Sequence, residues 1–217
     1  MYEVKQITVA NEFMENCYAV IHTESKKALI IDPGGNSDRI INWIDELEIE
    51  PIAILLTHAH CDHIGAVDDL RDKYGILLYN YYIERDYLTH PELNLSAQFP
   101  GESISLKPAD ISWTEADLTM QQIGNFLFEM RFTPGHSPGH VIFKFMDTGF
   151  VISGDVLFQG SIGRTDLPGG DAPRLMQSIR EEIYTLPEET ILYPGHGGET
   201  TVGQELKSNP FNHYIKA

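Results

Sequence analysis

Cysteine is nearly missing from this chain: there are two in 217 residues, Cys17 and Cys61. That count excludes a disulfide framework and a cysteine-rich structural zinc site. Long apolar runs are missing too, and none approaches the ~18 residues that a bilayer-spanning helix needs. The opening stretch Met1-Tyr-Glu-Val-Lys-Gln6 lacks a basic segment followed by an apolar one, so no secretory signal is expected. With both thiols left free, a cytoplasmic location is the expectation. Positive charge is scarce: 15 Lys and Arg stand against 32 Asp and Glu, a net charge of −17. Such a surface repels nucleic acid and anionic membranes, because Lys and Arg carry most phosphate binding. Neither is expected as a partner, and an acidic small molecule would need a local basic group. What remains is 42% hydrophobic and 22% charged, a composition that suits a globular chain burying about 70% of its surface. A single domain over residues 1–217 is expected.

Short apolar runs bounded by turn residues recur and read as buried strands. They are Val4–Val9, Cys17–His22, Ala28–Ile31, Ile52–Leu56, Ile76–Tyr79, Phe126–Phe132, Val141–Met146, Phe150–Ser153 and Ile191–Tyr193. The first three are expected to be antiparallel, joined by short links such as His22-Thr-Glu-Ser-Lys-Lys27. Helical spacing appears in three places. Ile40, Ile41, Ile44 and Leu47 share a face behind Ser37 as N-cap. Val67, Leu70 and Tyr74 mark a second helix, stopped by Gly75. Leu175, Ile179, Ile183 and Leu186 mark a third, opened by Asp171 and closed before Pro187. Residues 80–112 fit no regular pattern and are expected to form helical turns and loops over the core. Strands and helices alternate after an antiparallel start, which favours a mixed α/β sandwich over a barrel.

The chemistry concentrates after the strand Ile52–Leu56, in Thr57-His58-Ala59-His60-Cys61-Asp62-His63. A strand's carboxyl end opening into a helix is a usual place for a site in α/β folds. His58 and His60, two apart in extended backbone, point to one side and can grip one metal ion. Asp62 and His63 follow where the backbone turns, aimed at a second. Imidazole and carboxylate suit Zn²⁺ and similar first-row ions. Further donors end later strands: Phe132-Thr-Pro-Gly-His136-Ser-Pro-Gly-His140, Phe150-Val-Ile-Ser-Gly-Asp155 and Ile191-Leu-Tyr-Pro-Gly-His196. Each alone is a plain turn; four strand ends delivering His or Asp together point to a two-metal site.

These motifs, with Ile30-Ile-Asp-Pro-Gly34, resemble the metallo-β-lactamase superfamily over nearly the whole chain, and most of all its short glyoxalase II-like branch. That branch carries the stretch found here at Ser153–Asp171. The resemblance implies a four-layer αββα sandwich of two mixed β-sheets flanked by helices. It implies a first metal on His58, His60 and His136, a second on Asp62, His63 and His196, and Asp155 as the bridge. Two divalent ions are expected, zinc first, with iron or manganese as alternatives. The implied activity is hydrolysis of a small acyl thioester of the hydroxyacylglutathione type, with Asp62 ligating and orienting the attacking water. Arg164 stands where glyoxalase II has a basic residue for the substrate's carboxylate; a structural salt bridge is the other reading. Asp32 either orients a ligating histidine or forms an Asp-Pro-Gly turn. His140 reads as a structural or supporting donor, Cys61 as filler, and His22, His90 and His213 as loop residues.

Departures from the family's other branches narrow the reading. The best-known secreted lactamases have Cys where Asp155 stands, and flavodiiron proteins have Glu where His60 stands. The RNA-processing relatives carry a large insertion for which 217 residues leave no room. With 21 residues after His196, the C-terminal helical extension that holds glutathione is expected to be largely missing. Two rivals share the motifs. One is a persulfide dioxygenase using a single iron on the equivalents of His58, His136 and Asp155; the other is a lactonase. The dioxygenase loop ends G-H-T-x-G-C where this chain has Gly135-His-Ser-Pro-Gly-His140.

Overall fold

The computed structural model describes residues 1–10, 12–99, 101 and 103–216. The chain divides into two compact units, Met1–Thr114 with Ile123–Phe126, and Glu115–Gln122 with Leu127–Ala217.

The first unit is built on a mixed six-stranded sheet. Its strands, in spatial as well as chain order, are β1 (Tyr2–Val9), β2 (Glu15–His22), β3 (Lys27–Ile31), β4 (Glu50–Leu55), β5 (Leu77–Tyr81) and β6 (Ile111–Trp113). β1 to β3 run antiparallel, as expected from the short links, and β3 to β6 pair in parallel. Parallel pairs need crossovers. The first two are supplied by α1 (Ser37–Glu46) and by the run α2 (Cys61–Ile64), α3 (Val67–Tyr74), and the third, from β5 to β6, by the segment that holds the turns Tyr82–Leu88 and Ser96–Gln98. Ile40 and Ile44 of α1 and Val67 and Leu70 of α3 are fully buried against Cys17, Ala19, Ala28, Ile30 and Ile54. Each such side chain stabilises the unit by roughly 1.5–3 kcal/mol. Gly75 ends α3 with φ 65°, the left-handed cap that glycine provides without strain. The start of α1 differs from the sequence expectation. Asn36, not Ser37, is the cap, at φ 53° and without a side-chain bond. Asn tolerates that region, and its carbonyl takes the N–H groups of Arg39 and Ile40.

The second unit carries another six-stranded sheet. It comprises β7 (Met120–Ile123), β8 (Phe126–Phe132), β9 (Val141–Phe145), β10 (Phe150–Gly154), β13 (Ile191–Pro194) and β14 (Thr200–Thr201), in the spatial order β14-β13-β10-β9-β8-β7. Between β10 and β13 lie a two-stranded hairpin, β11 (Leu157–Phe158) with β12 (Ser161–Ile162), and the helix α4 (Ala172–Ser178). Asp171 caps α4 by accepting from Arg174 N–H at 3.0 Å, as the sequence suggested. Past Ser178 the helix widens into a π-helical turn, Ile179–Ile183, which no residue pattern announced. With α5 (Val202–Ser208) and α6 (Asn212–Ile215), α4 packs Leu175, Val202 and Ile215 onto Ile142, Val151 and Leu192. Short elements with too few residues to show a period, namely β6, β7, β11, β12, β14, α5 and α6, were not legible beforehand. The loop expectation for residues 80–112 holds in the middle, with two 3₁₀ turns, Tyr82–Leu88 and Ser96–Gln98, but not at its ends, where Asn80 and Tyr81 finish β5 and Ile111 and Ser112 begin β6; positions 100 and 102 lie outside the described residues. Among the described residues, no helix is long and apolar enough to cross a membrane.

Candidate metal centre

In the first unit, β4 runs out at Leu55 and the chain continues as Thr57, His58, Ala59 and His60 before α2 begins. His60 is still extended, φ −70° and ψ 153°, so His58 and His60 project to one side as alternation requires. His63 arrives from the first turn of α2. The three imidazoles converge: ring centroids lie 4.7 Å apart for His58 and His60 and 4.1 Å apart for His58 and His63. All three are buried, whereas Asp62 is partly exposed.

One carboxylate orients two of these rings. Asp32, buried at the end of β3, accepts from Thr57 N–H at Oδ1 (2.8 Å) and from Thr57 Oγ1–H at Oδ2 (2.6 Å). The same Oδ2 accepts Nδ1–H of His63 at 3.1 Å. Having given its proton to Asp32, the Thr57 hydroxyl accepts Nδ1–H of His58 at 3.1 Å. Both rings are thereby fixed as Nδ1–H tautomers with Nε2 turned inward, which is how ligating histidines are usually supported. The Asp-Pro-Gly turn acts at the same place. A Cβ on Gly34 would lie 1.6 Å from the Asp62 carbonyl oxygen, and one on Gly65 would lie 2.4 Å from Gly34 O. Only glycine permits the Asp32–Gly35 turn to sit directly on α2.

Two side chains without any motif support this loop. Glu84, buried in the turn Tyr82–Leu88, accepts Ala59 N–H at 2.6 Å. Glu15, the buried first residue of β2, lies 3.8 Å from Nδ1 of His63. Asn94 contributes its carbonyl to Cys61 N–H at 2.9 Å. Cys61 itself is buried, and burial, then the Asp62 charge, push its thiol up to about 11. It is a poor source of thiolate at neutral pH.

In the second unit, Thr133 to His140 form a loop closed by Thr133 N–H to His140 O at 2.9 Å. Gly135, at φ 132°, packs against α4, where a Cβ would lie 2.3 Å from Leu175 N. His136 donates Nδ1–H to the Arg164 carbonyl at 2.9 Å, leaving Nε2 for a ligand. Asp155 follows β10, and His196 follows β13, where Gly195 N–H bonds Gly154 O at 2.9 Å. A single oxygen, Asp155 Oδ2, lies 3.5 Å from His136 Nε2 and 3.4 Å from His196 Nε2. Two donors about 2.0–2.2 Å from a tetrahedral ion are themselves about 3.4 Å apart. The donor types and this spacing fit divalent metal ions. The first unit thus carries a His/Asp cluster suited to metal binding, Asp32 with His58 and His63, and the second a carboxylate oxygen flanked by two imidazole nitrogens.

His140 points elsewhere. Its Nε2 accepts the Asp155 backbone N–H at 2.9 Å, and its Nδ1–H donates to Thr133 Oγ1 at 2.8 Å. Arg164 makes a two-pronged pair with Asp166, Nε to Oδ1 and Nη2 to Oδ2, both at 2.8 Å, and both side chains are exposed. That hydrogen-bonded guanidinium holds the Asp166 carboxyl at about 2. His22, His90 and His213 make local contacts with Ser25 Oγ, Asp86 O and Pro210 O.

Comparison with known proteins agrees with this inventory. Residues 10–196 match the family model described as the metallo-β-lactamase superfamily. The chain is 39% identical over 207 residues to the hydroxyacylglutathione hydrolase GloC of Haemophilus influenzae, covering 95% of this chain and 96% of that protein. It superposes on the crystal structure of BLEG-1, described as a B3 metallo-β-lactamase, with a TM-score of 0.92 at 46% identity, over 97% of this chain and 99% of that one. TTHA1623, solved in a di-iron-bound form, gives a TM-score of 0.81 at 36% identity, over 95% and 99% of the two chains. The fold expected from the motifs is therefore the fold found, and this chain belongs to the metallo-β-lactamase superfamily.

Proposed function

We propose that this chain is a two-metal hydrolase of small acyl thioesters of the hydroxyacylglutathione type. In this reading His58, His60 and His136 hold one ion, Asp62, His63 and His196 hold the other, and Asp155 is shared between them. The observation that carries it is the position of Asp155 Oδ2, 3.5 Å from one imidazole nitrogen and 3.4 Å from the other. A carboxylate oxygen between two such donors suits a bridge better than a ligand to a lone ion. Similarity to GloC supports the substrate class. Zinc fits the donor set, and the di-iron form of TTHA1623 keeps iron in contention, with manganese as a third choice.

When bound, such ions acidify a water and polarise the carbonyl under attack. The chain's own residues do the rest. Thr57, Asp32 and the Arg164 carbonyl fix the imidazole tautomers so that no proton has to move for the site to assemble. Asp62, the donor in the first unit with access to solvent, orients the attacking water and accepts its proton. A carbon–oxygen bond forms as the carbon–sulfur bond breaks, and the electron pair leaves on sulfur. A thiolate of pKa about 8.5 departs without a strong general acid. Arg164 holds a substrate carboxylate when it is released from Asp166. The site is expected to act in the cytoplasm on a small molecule.

Similarity to BLEG-1 favours a second reading, hydrolysis of a cyclic amide. An amide nitrogen leaves only once protonated, which would require Asp62 to hand on the proton it takes from the water, whereas a thiolate leaves without it, so thioesters are expected to turn over faster. The deciding experiment is elemental analysis of protein purified without added metal, alongside thioester and β-lactam assays. Two ions per chain with thioester turnover is the expected result. One iron, no second metal and oxygen uptake on persulfide addition would establish the dioxygenase instead.

A further inference from the structure

Glu84 is an expensive residue to bury. A carboxylate removed from water costs several kcal/mol unless it is well bonded, and Glu84 is 2% exposed. Its Oε2 accepts the backbone N–H of Ala59 at 2.6 Å, across 25 residues of sequence. Ala59 is the residue between His58 and His60, and its own side chain is buried at 1% exposure. The contact is therefore made to the His58–Ala59 peptide, one of the two that set how the two imidazoles project. To reach it, Glu84 departs from helical geometry inside the Tyr82–Leu88 turn, with φ −106° and ψ 20°. The carboxylate's charge is felt nearby, since burial and Glu84 together push the Tyr87 phenol up to about 12. The next peptide N–H along but one, that of Cys61, is held by Asn94 O from the same segment. Residues 82–94 thus grip the histidine loop at alternate peptides from behind, while Asp32 works on Thr57, His58 and His63.

We propose that Glu84 is a positioning residue for the metal centre, fixing the His58–Ala59 peptide so that the Nε2 atoms of His58 and His60 address the same ion. This rests on the two-metal reading above. It adds that the two ions differ in their support: the ion of His58 and His60 depends on Glu84 as well as on Asp32 acting through Thr57, whereas the ion of His63 depends on Asp32 without Glu84. The role asked of Glu84 is to accept a backbone N–H at a fixed reach, which an amide oxygen on a side chain of the same length also does.

Two conservative variants separate the possibilities. Glu84→Gln keeps the length and an accepting oxygen but loses the charge; Glu84→Asp keeps the charge and is one methylene short. Stepwise Co²⁺ and Zn²⁺ affinities of the metal-stripped chain, measured by chelator competition, are the readout, with circular dichroism confirming the fold. Hydrogen-bonding groups that orient metal ligands are typically worth ten- to a hundredfold in affinity. Glu84→Asp is expected to weaken one of the two ions by about tenfold or more and leave the other within about threefold. Glu84→Gln is expected to keep both within about threefold. The proposal is overturned if Gln is as impaired as Asp, if both ions weaken equally, or if neither variant changes either affinity. A wild-type chain that binds fewer than two ions would instead remove the two-metal reading on which it rests.

Discussion

The backbone N–H of Asp155 donates to Nε2 of His140 at 2.9 Å. An amide can only donate, so Nε2 must be the unprotonated nitrogen, and Nδ1–H must be the group that meets Thr133 Oγ1. The second histidine of the Gly135–His140 loop is thus committed to the backbone of the carboxylate proposed as the bridge. His140→Phe keeps the bulk of a ring but strands a buried N–H, which costs about 1–3 kcal/mol. The urea midpoint should fall accordingly, and metal affinity by about ten- to a hundredfold. An unchanged midpoint would mean that the Asp155 N–H finds another acceptor and that His140 is dispensable.

Asp155→Asn tests the bridge itself. It preserves shape but removes the anion lying between the Nε2 atoms of His136 and His196. Loss of one metal ion and a fall in turnover of at least about a hundredfold are expected. Elemental analysis with thioester kinetics decides it, and near-normal values of both would show that Asp155 does not bridge.

Asp32→Asn should act through hydrogen-bond polarity rather than size. Asp32 receives three donors, Thr57 N–H, Thr57 Oγ1–H and His63 Nδ1–H. Whichever way an Asn amide turns, its NH₂ faces a donor. We expect about a ten- to hundredfold loss of affinity for the ion that His63 binds. Chelator competition would refute this if both ions were retained at wild-type strength.

What could be read from the sequence follows the range over which each signal acts. The H-x-H-x-D-H cluster was legible because a buried strand and its ligands are contiguous, so alternation and the following turn already aim the side chains. Asp32 was visible only as one of two readings, and in the structure it does both things, making the turn and bonding His63. Glu84 and Glu15 were invisible. Neither sits in a motif, and an isolated glutamate in an acidic chain reads as a solvated surface charge. Their burial is decided by contacts 25 residues or more away or across strands, information that no local window contains. The π-helical turn at Ile179–Ile183 was missed for a related reason, since its apolar spacing still fits an ordinary helix.

Gly163→Ala offers a geometric check on the loop that backs the second cluster. A Cβ there would lie 1.9 Å from the Asp155 carbonyl oxygen and 3.2 Å from the His136 Cβ. Neither neighbour is a flexible chain end, so the backbone must give. A stability loss of at least about 1–3 kcal/mol is expected, with loss of metal. A thermal melt superimposable on wild type would contradict the packing described.

Substrate selection turns on Arg164, whose guanidinium is already paired with Asp166. The pair lowers the Asp166 carboxyl to about 2 from its ordinary value of 3.8. Its contribution is therefore fully present above about pH 4 and lost as pH falls towards 2, so at neutral pH the pair is intact. A carboxylate-bearing thioester must compete with Asp166 for Arg164. Asp166→Asn should release the guanidinium and lower KM for a glutathione thioester. Arg164→Ala should raise that KM by about ten- to a hundredfold with little change in kcat, because the contact lies remote from the carbonyl. A neutral alkyl thioester should be hydrolysed almost equally by all three forms. If Arg164→Ala instead lowers kcat on both substrates alike, the side chain matters through its pair with Asp166, which steadies the backbone whose Arg164 carbonyl meets His136, and substrate carboxylates are held by some other group.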